Sequence, residues 1–390
     1  MIILDKPFVS EFLKATIRKY AYPVVKTTGV KQFGFNDEPY LLDEDRAIAT
    51  AQATDNLTIY TNSENAIGWI ARHLTFTDLP QKIALFKNKT TFRTLLKPLY
   101  PNFFFREVQL GHLRNLPLES IPMPCIIKPA VGFFSMGVHK VSNPREWEPA
   151  VDRIFSEIDT MQEQYPVEVL NTTAFIIEQC IAGEEFAIDA YFNAAGEPVI
   201  LNILQHVFAS DNDVSDRVYL SSKKIIENNI DEFTVFLKKI GSLSGVKNFP
   251  VHVEVRREEN ASLLPIEINP MRFGGWCTTP DMTYSAYGFN PYEYYFSQKK
   301  PDWVEILTGK AGKLYSVIVL DNSTGLDEQH IAGFNYPRLL STFENPLKLR
   351  KIDHTEYPVF GFLFAETQEE NFAELEQILT SDLREFIITK

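Results

Sequence analysis

The chain has 390 residues, which is long for one domain and suits two or three. Its residues are 45% hydrophobic and 13% aromatic, so substantial cores can form. The formal charge of −13 argues against a nucleic-acid partner, because phosphate contact requires a basic surface. No apolar run reaches the roughly 20 residues that cross a bilayer.

The start of the chain and the cysteines bear on location. Residues 1–5 lack a basic n-region and a long apolar stretch, which argues against a signal peptide. The three cysteines are scattered without paired spacing, as is usual in a reducing cytosol. A cytoplasmic protein is therefore expected.

The first segment alternates between strand and helix patterns. Residues 1–5 predict a short buried strand, residues 8–20 have the apolar spacing of a helix, and residues 22–27 are extended again. A further helix is predicted at 65–74. Residues 1–84 are therefore predicted to form a small N-terminal α/β domain, without a dinucleotide-binding glycine motif.

Two lysines lie next to helix and loop signals. Lys89 is in the first turn of a predicted helix and by itself is best interpreted as a surface residue. Lys128 ends a short buried strand and precedes a loop that contains Gly132, Ser135 and Gly137. Such a loop can direct backbone N–H groups at an anion, and a lysine at its mouth adds a charge for phosphate. An ordinary hairpin turn is the alternative.

The middle of the chain has strand patterns that end in acids. A buried strand at 175–178 leads through a short exit to Glu184-Glu185. The segments 186–192 and 198–208 pair naturally as a hairpin. The polar loop at 209–222 could cover a site or be plain surface.

The next hairpin concentrates polar side chains on one face. Alternation along the first strand puts His252 and Glu254 on the face opposite three valines, and alternation along the second does the same for Glu267 and Asn269. If the hairpin is symmetric about residues 260–261, Glu254 faces Glu267 and His252 faces Asn269.

Two carboxylates that face each other repel, so a positive charge should lie between them. Oxygen ligands of this kind suit Mg²⁺, which takes one or two carboxylates and completes its shell with phosphates. The alternative is a solvated sheet face, where most strand carboxylates lie.

The last part carries fewer chemical signals. The aromatic-rich segment 284–296 is more typical of a core or an interface than of a substrate cage. A strand at 313–320, a strand at 357–364 and a helix at 372–379 indicate a small α+β part over residues 298–390.

The order of these motifs supports a family resemblance. A lysine opens a helix, a second precedes a Gly/Ser loop, and E-Q-x-I-x-G-x-E, H-x-E and E-I-N-P follow. Over roughly residues 85–297 this order resembles the ATP-grasp superfamily of carboxylate–amine and carboxylate–thiol ligases. The resemblance implies an ATP-grasp fold of mixed α and β elements, in which subdomains at about 88–178 and 179–297 clasp ATP.

The resemblance also implies roles for individual residues. The nucleotide contacts would be Lys89, Lys128, Ser135, Met136, Gly137, Glu178, Gln179, Ile181 and Glu185. Both lysines would hold phosphates, and residues 135–137 would close over them. Glu178, Gln179 and Ile181 would bind the adenine edge, and Glu185 would bind the ribose. Glu254, Glu267 and Asn269 would hold Mg²⁺, with Mn²⁺ as an alternative cation.

Two further residues are implied in catalysis. Arg272, in a loop that ends in Gly274-Gly275, would bind the substrate carboxylate or the acyl phosphate through its planar fork. The alternative for Arg272 is a surface ion pair. His252 stands where many members have arginine, and it would contact the γ-phosphate or orient Glu254. The bulky Phe133-Phe134 pair is a second departure from the family pattern.

The expected function is that of an ADP-forming ligase, in which ATP activates a small-molecule carboxylate as an acyl phosphate for attack by an amine. A bicarbonate-activating enzyme of the carbamoyl phosphate synthetase or biotin carboxylase type is the alternative. A non-catalytic ATP-binding protein is another, although the filled set of metal-ligand positions favours an enzyme. No nucleic-acid or membrane partner is expected, and a homodimer is compatible with the sequence.

Overall fold

A computed structural model of the chain describes residues 1–132, 137–162, 171–210 and 215–390, with backbone alone at 159–162 and 171–172. Ser135, Met136 and the Phe133-Phe134 pair lie outside the described residues, as does part of the polar loop predicted at 209–222. Among the helices in the described ranges, none combines the length and the apolarity that a bilayer crossing requires.

The N-terminal part is the predicted small α/β unit. Its parallel sheet has the order β3-β2-β1-β4, with very short strands. The strands are β1 (Ile2–Ile3), β2 (Val24–Val25), β3 (Leu41–Leu42) and β4 (Tyr60–Thr61). The helices are α1 (Glu11–Tyr20), α2 (Glu44–Gln52), α3 (Ile67–His73) and α4 (Leu79–Lys87). Ser10 caps α1 by accepting from the Leu13 N–H, and it donates to Asp281 across the molecule.

A smaller antiparallel sheet follows, in the order β5-β8-β6-β7. Its strands are β5 (Phe105–Gln109), β6 (Cys125–Val131), β7 (His139–Val141) and β8 (Asn171–Gln179). Helix α5 (Lys89–Leu96) leads into this sheet, and α6 (Trp147–Gln162) covers one face through Trp147, Val151 and Ile154. The apolar side of this amphipathic helix therefore faces the core of the sheet.

The large sheet has eight antiparallel strands in the order β13-β12-β9-β10-β11-β14-β17-β16. The strands before residue 297 are β9 (Glu184–Phe192), β10 (Pro198–Val207), β11 (Val218–Ser222), β12 (Phe249–Arg257) and β13 (Leu263–Pro270). Those after it are β14 (Lys313–Asp321), β16 (Asn345–Lys351) and β17 (Val359–Gln368). Helix α7 (Lys223–Ser244) packs on this sheet, with Phe233 edge-on to Phe186 at 5.3 Å between ring centroids.

The remaining elements complete the C-terminal part. Strands β15 (Ile331–Phe334) and β18 (Ile387–Thr389) form a separate two-stranded sheet. The helices are α8 (Thr278–Tyr287), α9 (Pro291–Phe296), α10 (Trp303–Ile306), α11 (Tyr336–Leu340) and α12 (Ala373–Thr380). The limits at residues 84, 178 and 297 stay a prediction, and the large sheet crosses the last of them.

The β12–β13 hairpin has the register that the sequence predicts at its polar end. Glu254 faces Glu267 and His252 faces Asn269. Towards the turn, the symmetric pairing is wrong: Val255 pairs with Pro265, so Ile266 is an extra residue on β13. This β-bulge shifts the register only beyond the polar pairs, which therefore remain on one face.

Candidate active site

The polar face of the β12–β13 hairpin meets the start of α5. The Lys89 Nζ lies 3.2 Å from Glu267 Oε2 and donates to the Gly132 carbonyl at 3.1 Å. Lys89 is 8% exposed, so it is not the surface residue that its position alone suggested. The cation expected beside the facing carboxylates is thus supplied in part by this lysine.

The three predicted metal ligands lie together on this face. The Asn269 Nδ2 donates to Glu267 Oε1 at 2.9 Å. Burial and the facing Glu267 raise the pKa of Glu254 well above its usual range. Burial would also raise the pKa of Glu267, but Lys89 and Lys128 lower it overall. Proton uptake by Glu254 is thus favoured because the pair carries excess negative charge.

These groups fit a divalent cation, because carboxylate and amide oxygens are suitable ligands and Lys89 offsets only part of the charge of the carboxylate pair. Within the described ranges, no three His, Cys, Asp or Glu side chains are grouped closely enough to bind a metal alone. The predicted set instead combines two carboxylates with an amide, and phosphate oxygens would complete the shell.

The second predicted phosphate lysine is buried in an ion pair. Lys128, on β6, is 5% exposed, and its Nζ lies 2.5 Å from Glu178 Oε1. The Arg93 Nε donates to the other Glu178 oxygen at 2.7 Å. Glu178 therefore holds two cations with its side chain, and its predicted contact with an adenine edge stays a prediction. The same holds for Gln179 and Ile181; the Ile181 carbonyl accepts from Arg256 at 2.6 Å.

Glu185, the predicted ribose ligand, is fixed by Arg256 and His206. The Arg256 Nε donates to Oε2 at 2.8 Å, and the His206 Nδ1 lies 3.0 Å from Oε1. The His206 Nε2 lies 2.9 Å from the Ser215 carbonyl oxygen. Both ring nitrogens of His206 therefore lie within hydrogen-bond distance of oxygen atoms, which fixes the plane of the ring. Burial would raise the pKa of Glu185, but His206 and Arg256 lower it.

Arg272 lies in a buried ion pair, which excludes the surface alternative. Its Nη2 and Nε donate to Glu64 Oε1 at 2.7 and 3.3 Å, and its Nη1 donates to the Phe273 carbonyl at 2.9 Å. The Lys87 ammonium pairs with the other Glu64 oxygen. Glu64 is 5% exposed, and it thus places a carboxylate of the N-terminal part beside Arg272.

His252 is anchored by a carboxylate on the neighbouring strand. Asp189 of β9 is 1% exposed, and its Oδ1 lies 2.7 Å from the His252 Nδ1. The same carboxylate accepts from the Gly274 N–H at 3.0 Å and from the Thr279 hydroxyl. A Cβ on Gly274 would lie only 2.3 Å from Thr279 Oγ1, so the loop requires glycine there. On its other side, the His252 Nε2 lies 3.8 Å from Glu254 Oε1.

The described residues thus bring most of the predicted site together. The loop residue Gly137 has a φ of +67°, a conformation that favours glycine, but the preceding loop positions lie outside the described ranges. Sequence reasoning did not identify the buried charged residues that pair with the predicted site residues or with one another here, namely Glu64, Lys87, Arg93 and Asp189. A signal was available for Arg93, because Lys89 and Arg93 are separated by one helical turn.

Comparisons with known proteins agree with this arrangement. A family profile described as an ATP-grasp domain matches residues 121–280. A comparison with curated protein sequences gives no significant match. An L-amino acid ligase from Bacillus licheniformis is similar in structure, with a TM-score of 0.69 and 16% identity over 100% of this chain and 98% of that one.

Two further solved structures are similar over the whole chain. An N5-carboxyaminoimidazole ribonucleotide synthetase from Thermotoga maritima has a TM-score of 0.64 and 12% identity, covering 100% of this chain and 98% of the other. The biotin carboxylase domain dimer of the Hydrogenobacter thermophilus 2-oxoglutarate carboxylase, in complex with MgADP, ADP and bicarbonate, has a TM-score of 0.59 and 13% identity, covering 100% and 90%. The sheets, the similar solved structures and the profile match lead to one conclusion: the chain has the ATP-grasp fold and carries an ATP-grasp domain at residues 121–280.

Proposed function

We propose that the protein is an ATP-dependent, ADP-forming ligase that joins a carboxylate to an amine. The observation that carries this proposal is the facing Glu254 and Glu267 pair, with Asn269 beside it and Lys89 3.2 Å from Glu267. Such a site can hold a cation and neutralise phosphates in one place, as phosphoryl transfer requires. ATP and Mg²⁺, or Mn²⁺ in its place, are the proposed cofactors, and the MgADP complex of the biotin carboxylase domain supports this choice.

A carboxylate is a poor electrophile, whereas an acyl phosphate has a good leaving group. Lys89 and Lys128 would bind phosphate oxygens and offset their charge, and Glu254, Glu267 and Asn269 would hold the cation. When bound, the cation supplies further charge neutralisation between the phosphate groups. Arg272 would hold the carboxylate of the acid in place. This carboxylate would then attack the γ-phosphate of ATP, and ADP would leave.

The acid and the amine are proposed to be amino acids or short peptides. The similarity to an L-amino acid ligase, and the H-x-E sequence at His252, support this choice over bicarbonate. The ligand partners of the protein would then be small molecules.

The test is a screen of amino acids in pairs, with Mg²⁺ and ATP, that measures ADP release. We expect release with particular pairs and none from Glu267→Gln, because a neutral amide cannot offset the charge of the cation. Glu259→Gln, an exposed carboxylate at the hairpin turn, is the matched control and should resemble the wild type. ADP release with bicarbonate alone would contradict the amino-acid substrates. Near-normal turnover in a folded Glu267→Gln variant would contradict the metal site.

A further inference from the structure

Arg93 is a buried cation that the proposed chemistry does not use. It is 4% exposed, on the same face of α5 as Lys89 and one helical turn further along. The Phe103 ring covers its guanidinium at 4.4 Å, which restricts the plane of the group. A buried arginine of this kind is retained only when its donors are satisfied.

One side of the guanidinium contacts the small sheet. The Nε donates to Glu178 Oε2 at 2.7 Å, while Glu178 Oε1 lies 2.5 Å from the Lys128 ammonium. Burial alone would raise the pKa of the Glu178 carboxyl, but Arg93 and Lys128 lower it to about 2. The carboxylate is therefore charged at neutral pH and holds Lys128 and Arg93 in a fixed relation.

The other side contacts the large sheet at its edge. Strand β13 is the outermost strand there, so its outer carbonyl groups lack a neighbouring strand. The Arg93 Nη1 donates to the Pro265 carbonyl at 2.6 Å, and Nη2 approaches the Ile266 carbonyl at 3.4 Å. These are the bulge residues that immediately precede Glu267.

We infer that Arg93 is a positioning residue that sets Lys128, through Glu178, at a fixed distance from Glu267. It thereby aligns the phosphate-binding lysine of one sheet with the metal-binding carboxylate of the other. This inference rests on the proposed function. The planar guanidinium is required because its acceptors lie in two directions, with Glu178 on one side and the Pro265 and Ile266 carbonyls on the other. A lysine ammonium at this position could reach the acceptors on only one side.

The test compares two ligands that differ only in their phosphates. Calorimetry on the full chain measures the affinity for ADP with Mg²⁺ and for adenosine. For Arg93→Lys we expect ADP to bind about tenfold more weakly, since a charge-assisted contact is misplaced, and adenosine to bind within about twofold of the wild type. A purely structural role would lower both affinities or neither.

Two further variants sharpen this test. Glu178→Gln interrupts the same chain of contacts and should weaken ADP binding by more than it weakens adenosine binding, even if Arg93→Lys fails to fold. In a Lys128→Met background, Arg93→Lys should cause little further loss, because residues that act through one another are not additive. Arg217→Lys is the matched control: this arginine is also buried, at 3% exposure, but it contacts Asp321, Ser323 and Ser381 in the C-terminal part.

The outcomes separate the inference from the proposed function. Equal losses for ADP and adenosine in both Arg93→Lys and Glu178→Gln, or additive losses in the Lys128→Met background, would overturn the positioning role alone. A wild-type protein that binds adenosine and ADP equally, or binds neither, would overturn the proposed nucleotide site and the positioning role with it.

Discussion

At the scale of single residues, the arginine proposed to bind the substrate already has an internal anion. Arg272 uses three of the five N–H donors of a guanidinium on Glu64 and on the Phe273 carbonyl. A buried guanidinium without a partner would be strongly unfavourable before substrate arrives. Glu64 therefore allows Arg272 to stay charged and oriented, and it weakens the attraction of Arg272 for a second carboxylate.

We predict that Arg272→Lys leaves ATP affinity nearly unchanged and lowers kcat/KM for the acid. The expected loss is about ten- to a hundredfold, which corresponds to ~1.4–2.7 kcal/mol for a charge-assisted contact. Lysine keeps the charge but cannot form the fork. Steady-state kinetics beside an ATP titration would measure both quantities, with Arg106→Lys on the small sheet as a control. A loss of ATP affinity with unchanged acid kinetics would assign Arg272 to the nucleotide site instead.

A second residue-scale prediction concerns pH. The folded-state pKa of Glu178 is about 2 because Arg93 and Lys128 offset the effect of burial, against an ordinary value of 4.5. A lowered folded pKa contributes stability above pH 4.5, and this contribution is lost as the pH falls towards 2. At neutral pH it amounts to about 3 kcal/mol.

Urea unfolding of the wild type should therefore show a steeper loss of stability between about pH 5 and 2 than Glu178→Gln does. The variant should also be less stable at pH 7, where it lacks the charge that Arg93 and Lys128 require. Parallel pH profiles for the two proteins would show that Glu178 is not the titrating group.

At the scale of elements, strand β9 connects strand β12 to the loop of Arg272. Asp189 accepts from His252 on β12, from the Gly274 N–H and from the Thr279 hydroxyl. Asp189 is 1% exposed, and His252 and Thr279 are also buried. Water therefore has little room to replace the carboxylate as the acceptor of these donors. The position of His252 and the path of the loop are thus fixed by one side chain.

We predict that Asp189→Asn lowers the free energy of unfolding by roughly 2 kcal/mol or more, since an amide cannot accept three bonds with its single oxygen and leaves buried donors unpaired. Thr279→Ser keeps the hydroxyl and should change stability by less than about 1 kcal/mol. Denaturant titrations of both variants would measure these values. If the Asp189→Asn protein is as stable as the wild type, Asp189 does not anchor His252 and the loop.

The predictable part of the site depends on local patterns. The pairing of Glu254 with Glu267 follows from strand alternation and a short turn, so sequence alone was sufficient to predict it. The partners Glu64 and Asp189 lie far along the chain from Arg272 and His252, and no local period connects them. The bulge at Ile266 was not predicted; Pro265 beside it is typical of an edge strand or a bulge, but it does not specify which residue is the extra one.

The same division applies to the fold. The α/β character of the N-terminal part follows from apolar spacing, and the structure confirms it. The sequence also predicted the strand near 313–320, but not that it would join the sheet of β9 to β13. Pairing between distant strands depends on tertiary packing, which a period of two residues does not specify.

At the scale of the whole molecule, the large sheet makes the C-terminal part structurally necessary. Strand β14 pairs with β11 on one side and with β17 on the other. Val218 and Leu220 of β11 share a buried cluster with Leu314 and Ile318 of β14. Removal of the residues after 297 would therefore expose an unpaired apolar strand.

We predict that a fragment of residues 1–297 aggregates or loses its near-ultraviolet circular dichroism, since an exposed edge of this kind pairs with other chains. The control is the full chain with a protease site inserted at the exposed Gly325, between β14 and β15. After cleavage there, both pieces should remain associated, because the ladder of β11, β14 and β17 is intact. A monomeric 1–297 fragment with normal ADP affinity would contradict the prediction.

The continuous sheet also restricts how chimaeras can be made with relatives of the same fold. A crossover near residue 297 would join a β11 from one parent to a β14 from another, and the two strands would have to match in twist and in apolar contacts. Exchange of residues 105–179 carries the whole β5-β8-β6-β7 sheet and breaks no ladder, although the donor must supply the carboxylate of Glu178 for Arg93. Breakpoints for recombination should therefore follow the membership of strands in sheets, which cannot be read from the spacing of motifs along the chain.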